Sequence, residues 1–266
     1  MHLHLPQPTD FAWMSQGQHL RFCSMEDSLL LKPYEKEHRP QKKRALLMLH
    51  GFSSSPAVWR LFFPHLGSYD FIRAPLLAGH GISISEFANT SQQQWLHHVR
   101  IECKKLCQEY SEVDIIGLSL GGLLACHLVK EFPIKQLFLL APALALKNNG
   151  PLLLKTAKVS KNLGFQFIKN AGGRAFLPQA DELLFRLLPI KTIIEILSFI
   201  ESFQFKSWDT PTQVYLGRHD DVINSSQVER QLKNLTEVDI HYLEKSNHVL
   251  PLDANYQDIL QGLVSK

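Results

Sequence analysis

Four short apolar bursts, at residues 45–49, 113–116, 136–140 and 212–216, recur along this chain with helix-like stretches between them. Runs this short and this continuously apolar fit strands buried on both faces, which need helices packed above and below them. The helix signals are local ones. Ser91 and Gln94 have the spacing of a capping box that opens a helix running towards Tyr110, and residues 120–131 read as a second helix, stopped before Pro133. Strands alternating with helices predict an α/β fold with a mostly parallel central sheet flanked by helices.

Two stretches break the rhythm. Ahead of the first burst, residues 19–25 and 29–34 are short apolar-rich runs separated by Glu26, Asp27 and Ser28, the pattern of an antiparallel hairpin at the sheet edge. Residues 146–208 show helical periodicity, notably at 181–188 and 191–205, without a convincing buried strand. A structureless connection this long is uncommon in a compact domain, so the stretch reads as an inserted helical cap. The chain then divides into a core, residues 1–145 and 209–266, and a cap, residues 146–208.

Composition closes off several other classes. A chain of 266 residues with 45% hydrophobic and 20% charged residues suits one soluble globular domain with an insertion. The net charge is only +3, and its one basic cluster, Lys42, Lys43 and Arg44, reads as a solvated turn before a strand, so nucleic acid is not implied. Residues 1–13 lack the flank and core of a signal peptide, and no run approaches about 18 uninterrupted apolar residues. A cytoplasmic protein with no integral membrane segment is the expectation. The four cysteines have no framework spacing and read as reduced thiols, with Cys103 and Cys107 on a buried helical stripe. Of the thirteen histidines, His2 and His4 fall in a start read as frayed, His97 and His98 face different ways on a helix, and no H-E-x-x-H spacing occurs. Neither a metal nor a cofactor is predicted.

The chemistry is carried by three short segments. The burst at 113–116 runs into Gly117-Leu118-Ser119-Leu120-Gly121-Gly122 and then a helix. Chance places G-x-S-x-G in roughly one chain in ten of this size, but here it lies between a buried strand and a helix. There, small residues let the chain turn sharply and leave a serine hydroxyl exposed above the sheet. A serine hydroxyl is a weak nucleophile near neutral pH, so it needs a base and a group that holds that base in the right tautomer. Asp220 and Asp221 lie just past the burst at 212–216, and His248 follows the next expected strand, 238–243. Serine, acid, histidine is the chain order of a nucleophile-elbow triad. Adjacent carboxylates point in different directions, so only one of the two meets His248. His219, in the acid loop itself, is the weaker candidate for the base. A tetrahedral intermediate also needs donors for its oxyanion. The N–H of Phe52, after His50-Gly51, and that of Leu120, at the start of the elbow helix, are the candidates.

These motifs, with Pro75-Leu76-Leu77-Ala78-Gly79-His80-Gly81 and Ser246-Asn247-His248, resemble the bacterial carboxylesterase and monoacylglycerol lipase group of the α/β-hydrolase superfamily from about Leu46 to Lys266. The resemblance implies an α/β-hydrolase fold and the triad Ser119, Asp220 and His248, with Phe52 and Leu120 as oxyanion donors. It selects Asp220 over Asp221 because the acid stands three residues after Gly217, and it makes His80 a packing residue. The expected activity is hydrolysis of uncharged short- to medium-chain carboxylic esters, monoacylglycerols being one candidate class, through an acyl-enzyme with water as second substrate. Thioester cleavage, carbon–carbon bond hydrolysis and acyl transfer use the same triad, and a non-catalytic small-molecule receptor is the alternative of another class. Leu153, Leu154, Phe165, Phe167, Leu184, Phe185, Leu188, Ile193, Leu197 and Phe203 of the cap are the apolar candidates for an acyl pocket. The first 40 or so residues are longer than the resemblance requires.

Overall fold

A strand buried on both faces divides its side chains between two cores, and β4 (Arg44–Leu49) shows how this molecule is built. In the computed structural model, which describes residues 7–264, Ala45, Leu47 and Leu49 of β4 enter one apolar cluster, and Leu46 and Met48 enter another on the opposite face. That is the two-residue period of a strand. Around β4 lies a seven-stranded sheet that also contains β3 (Tyr34–Glu37), β5 (Phe71–Ala74), β6 (Glu112–Leu118), β7 (Gln136–Leu140), β11 (Thr212–Gly217) and β12 (Val238–Leu243). Its order is β12-β11-β7-β6-β4-β5-β3, and every pairing is parallel except that of β3 with β5.

The flanking helices are α1 (Ile84–Ala88), α2 (Gln92–Glu109), α3 (Leu120–Leu128), α6 (Ser225–Leu232) and α7 (Tyr256–Val264), with α4 (Gly150–Asn162) and α5 (Ile190–Ser202) in the stretch expected to be a cap. The capping box of Ser91 and Gln94 is present at the start of α2, whose stripe of Trp95, Val99, Cys103 and Leu106 is buried. Cys103 packs as expected, while Cys107 is only half-buried. After β4 the chain makes short 3-10 turns, Pro56–Trp59 and Phe63–His65, rather than an α-helix.

From β4 the chain moves outwards to β5 and then crosses back to β6 on the other side of β4. The order therefore reverses between β4 and β6, and the crevice above such a reversal is where open α/β sheets place ligands. Both relevant turns, Gly51-Phe52 and Ser119-Leu120, leave the sheet there.

Three expectations are corrected. The N-terminal hairpin is not 19–25 against 29–34. It joins β1 (Phe11–Ser15) to β2 (Gln18–Phe22) through Gln16 and Gly17, both at positive φ (50° and 74°). A two-residue turn that matches strand twist requires this conformation, and Gln16 gives no signal for it. Asp27–Leu31 is instead a 3-10 turn, stabilised where Ser24 and Asp27 each accept the other's amide (Asp27 N to Ser24 Oγ 3.0 Å; Ser24 N to Asp27 Oδ2 2.8 Å). His2 and His4 lie outside the described residues.

The inserted stretch is not purely helical. Residues 181–188, read as helix, contain β9 (Glu182–Phe185), which pairs antiparallel with β1. β8 (Phe167–Lys169) and β10 (Leu187–Pro189) form a separate two-stranded ribbon. Local periodicity lost to a partner strand about 170 residues away, because strand formation depends on the neighbour more than on the residues themselves. The β1–β2 hairpin thus pairs with the inserted stretch over the crevice, and of the N-terminal strands only β3 reaches the sheet edge.

Finally, Lys42 and Lys43 are exposed, but Arg44 turns inwards to the buried carboxylate of Asp114 on β6 at 2.6 Å. A fully buried Asp114 needs a cationic neighbour, which the cluster's solvated reading missed.

Phe185 is the keystone of the roof, its ring 4.4 Å from Phe11 and stacked 4.6 Å from Phe87. Phe185→Ala is expected to cost about 3–5 kcal/mol in urea denaturation, whereas Leu20→Ala, on the exposed strand β2, stays within about 0.5 kcal/mol.

Candidate active site

Between β6 and α3 the chain turns where only glycine fits. A Cβ on Gly117 would lie 2.4 Å from Gly121 O, and one on Gly121 would lie 2.1 Å from Leu49 O. These contacts press the elbow down onto β4. Ser119 is left at φ 52°, ψ −111°, a conformation that costs an L-residue about 1–3 kcal/mol. It is held there because its N–H donates to Leu140 O at 2.9 Å and its carbonyl accepts from Leu123 N and Ala143 N, both at 3.0 Å. The side chain opens onto a cavity of about 500 Å3 that His248 also lines.

The loops after β11 and β12 meet edge to edge. A Cβ on Gly217 would strike Asn247 O at 2.1 Å, and Asn247 Oδ1 accepts from His248 N at 2.8 Å and from Asp221 N at 3.3 Å. This contact sets His248 Nδ1 2.9 Å from Asp220 Oδ2. The second oxygen of Asp220 accepts from the amides of Val222 and Ile223, both at 2.8 Å. Asp220 is 4% exposed; burial alone would raise its pKa, but His248 and the two amides outweigh this and lower it. For His248, burial favours the neutral ring, but the Asp220 carboxylate, with smaller help from Glu182 and Asp221, raises the pKa above its ordinary value. Nδ1 carries the proton shared with Asp220, so Nε2 is the basic nitrogen.

The competing groups are placed elsewhere. Asp221 pairs with Arg174 at 2.6 Å, and His219 is exposed against the ring of Phe176. His80 is buried, with Nδ1 3.1 Å from Ala78 O, and burial pushes its pKa down to about 4.

Gly51 lies against the elbow, its Cβ position 3.6 Å from Ser119 Cβ. The next amide, Phe52 N–H, and the first amide of α3, Leu120 N–H, have no hydrogen-bond acceptor among the described residues. Two unsatisfied donors beside one serine, one of them at a helix N-terminus, form a site for developing negative charge.

Of the ten apolar residues expected around an acyl chain, only Leu184 and Leu188 line the cavity. Phe185 and Leu197 are core, and Leu153, Phe165 and Phe167 are exposed. Leu118, Ile168, Val222 and Val249 complete the apolar wall. The polar wall was not legible in the sequence. Glu182 on β9 is buried at the cavity and accepts Ser54 Oγ–H at 2.6 Å; burial still raises its pKa. Asn170 Nδ2 donates to Ser53 Oγ at 3.2 Å and to Phe185 O at 2.8 Å. The one available signal was a carboxylate at the head of the run Leu183-Leu184-Phe185. Among the described residues no group of His, Cys, Asp and Glu could hold a metal ion, and no helix is long and apolar enough to cross a membrane.

Known proteins similar to this chain include a carboxylesterase and monoacylglycerol lipases. A carboxylesterase of Bacillus subtilis (strain 168) is 26% identical over 83% of this chain and 92% of its own length. A thermostable monoacylglycerol lipase of Bacillus sp. (strain H-257) is 21% identical over 86% of this chain and 91% of its own. Among solved structures, a metagenome-derived lipolytic enzyme superposes with a TM-score of 0.76 at 20% identity, covering 89% of this chain and 96% of that one. The Paleococcus ferrophilus monoacylglycerol lipase does so with a TM-score of 0.67 at 16% identity, covering 88% and 97%. The alpha/beta hydrolase family model matches residues 46–261, and with esterases and lipases as its relatives this chain belongs to the alpha/beta hydrolase family as an esterase- and lipase-like member.

Proposed function

We propose that this chain is a serine carboxylesterase that hydrolyses uncharged esters of short- to medium-chain aliphatic acids, glycerol monoesters among them, through an acyl-enzyme. The observation that carries the reading is the 2.9 Å pairing of His248 Nδ1 with Asp220 Oδ2 at a cavity into which a strained Ser119 opens. In this mechanism His248 Nε2 takes the Ser119 proton as Oγ attacks the ester carbonyl, and the Phe52 and Leu120 amides receive the oxyanion. The imidazolium, stabilised by Asp220, then protonates the departing alkoxide, leaving an acyl group on Ser119. Water, deprotonated by the same nitrogen, attacks the acyl-enzyme; the second tetrahedral intermediate collapses to the carboxylic acid and Ser119 regains its proton. Residues 146–208 roof this site over a core of residues 1–145 and 209–266, with the N-terminal hairpin reaching up from the core to β9.

Ser119→Ala is expected to lower ester kcat by about 10^4-fold or more and to abolish fluorophosphonate labelling while leaving the thermal transition in place. Asp220→Asn should cost about 10^4-fold in kcat, because it stabilises the wrong tautomer of His248. Asp221→Asn should stay within about tenfold, since it loses only a partly exposed ion pair. Turnover that survives Ser119→Ala, or the reverse ranking of the two aspartates, refutes the assignment.

The pH dependence follows from the direction of the His248 shift. The base must be neutral to accept the proton, and its pKa lies above the ordinary imidazole value of about 6.5. The kcat/KM profile should therefore rise with pH through an apparent pKa above about 6.5 and level off on the alkaline side. A rising limb centred below that value would contradict the Asp220 pairing.

Chain-length preference follows from the apolar wall. Each buried methylene contributes about 0.8 kcal/mol, so butyryl esters should exceed acetyl esters by about tenfold in kcat/KM with one shared leaving group. Leu184→Ala and Leu188→Ala should shrink that ratio. A ratio unchanged by both would place the acyl chain elsewhere.

A further inference from the structure

The loop that offers the Phe52 amide is held from above. Ser53 sits at φ 59°, a left-handed conformation in which a non-glycine residue does not rest unaided. Its carbonyl accepts from Phe185 N at 3.4 Å and its hydroxyl from Asn170 Nδ2 at 3.2 Å, both groups of the inserted stretch. Ser54 N–H closes the turn on Gly51 O at 3.3 Å. Ser54 Oγ then donates to Glu182 Oε1 at 2.6 Å, with Ser54 3% and Glu182 6% exposed. Burying a carboxylate for one hydroxyl partner is unfavourable as a way of filling space, since an apolar residue would fill the same strand position at no desolvation cost. What the carboxylate supplies is a short, directional anchor two residues from the Phe52 amide.

We propose that Glu182 is a positioning residue for the oxyanion site, acting through Ser54 to fix the 51–54 loop so that Phe52 N–H meets the negative charge that develops on the substrate carbonyl. The inference rests on the esterase reading above. Its physical content is that the roof, through β9, sets the transition-state geometry of the core. A donor that is misaligned and not deleted loses part of the hundredfold or greater effect of a full deletion. The defect should appear in kcat and not in KM, and it should be independent of the alcohol that leaves.

The test measures Glu182→Ala, Glu182→Gln, Ser54→Ala and Ser54→Thr against butyryl esters of ethanol, glycerol and a phenol, with an alkyl trifluoromethyl ketone as mimic of the tetrahedral adduct. Glu182→Ala and Ser54→Ala should each lower kcat by about 10- to 100-fold with KM within about threefold, and weaken the ketone in parallel with kcat/KM. The double alanine variant should be no worse than either single one, because one hydrogen bond is lost in each case. Glu182→Gln and Ser54→Thr, which keep acceptor and donor, should stay within about threefold of the unaltered protein. If Glu182→Ala does not fold, Ser54→Ala and Ser54→Thr decide the matter by the same readouts. Unchanged kcat in the alanine variants overturns the inference. So does a loss confined to the glycerol ester, which would make Glu182 a substrate contact. Ser119→Ala, run alongside, separates the two failures: turnover that survives it overturns the proposed function itself.

Discussion

Ser119 keeps its main chain at φ 52°, ψ −111° because the sheet around it leaves no other path. The strand order reverses between β4 and β6, so the elbow must rise from a position flanked on both sides, with Gly121 pressed against Leu49 O and Ser119 N–H tied to Leu140 O of β7. Strain of this kind persists only where the surroundings over-determine it. Here the same contacts also place the Phe52 and Leu120 amides beside the hydroxyl, since Gly51 can approach Ser119 only while the elbow is down. The strained serine and the two amides beside it are thus two outcomes of one packing constraint.

The inserted stretch does more than cover the crevice. Asn170 holds Ser53, Arg174 holds Asp221, and the amides of Phe176 and Leu177 donate to the buried Asp253, which also accepts Asn247 N next to His248. A single strap therefore touches the loops that carry Ser53, Asp221 and His248. Its root lies against the acid loop as well, through Lys147 N to Val222 O at 2.8 Å and Asn224 N to Ala145 O at 2.9 Å. Three loops that leave three different strands are in this way referred to one piece of chain. Such a common reference is what holding reactive groups to within about half an ångström requires.

The buried carboxylates show how environment assigns different work to one chemical group. Asp114 is buried with Arg44 and Tyr69 as partners, and desolvation still raises its pKa; its pairing with Arg44 joins β6 to β4. Asp220 is as well buried but accepts two amides and faces His248, which lowers its pKa and keeps it anionic. Glu182 has one hydroxyl partner and is the least compensated of the three at the cavity. Desolvation acts on all of them, and the number and charge of the donors decide the outcome.

Much of the core was legible because its signals are local or periodic. The buried strands, the capping box at Ser91, the glycine elbow and the order Ser119, Asp220, His248 all depend on residues close together in the chain or on the two-residue period of a strand. What was misread depended on partners far away. Residues 182–185 became a strand because β1 lies beside them; the hairpin turned at Gln16-Gly17, where only backbone conformation marks the turn; Arg44 turned inwards because Asp114 waits on the next strand. The resemblance selects Asp220 by its spacing after Gly217, and in the folded chain Asp220 meets His248 while Asp221 pairs with Arg174. Glu182, Asn170 and Asp253 were invisible for the same reason: each acts through main-chain or hydroxyl groups of another loop, which one-dimensional spacing does not encode. The sequence by itself determined the parallel sheet and the elbow, because steric fit and apolar alternation are properties of neighbouring residues. The tertiary structure decided the roof, the polar wall and the partners of each buried carboxylate, because those rest on contacts made only after the chain has folded back on itself.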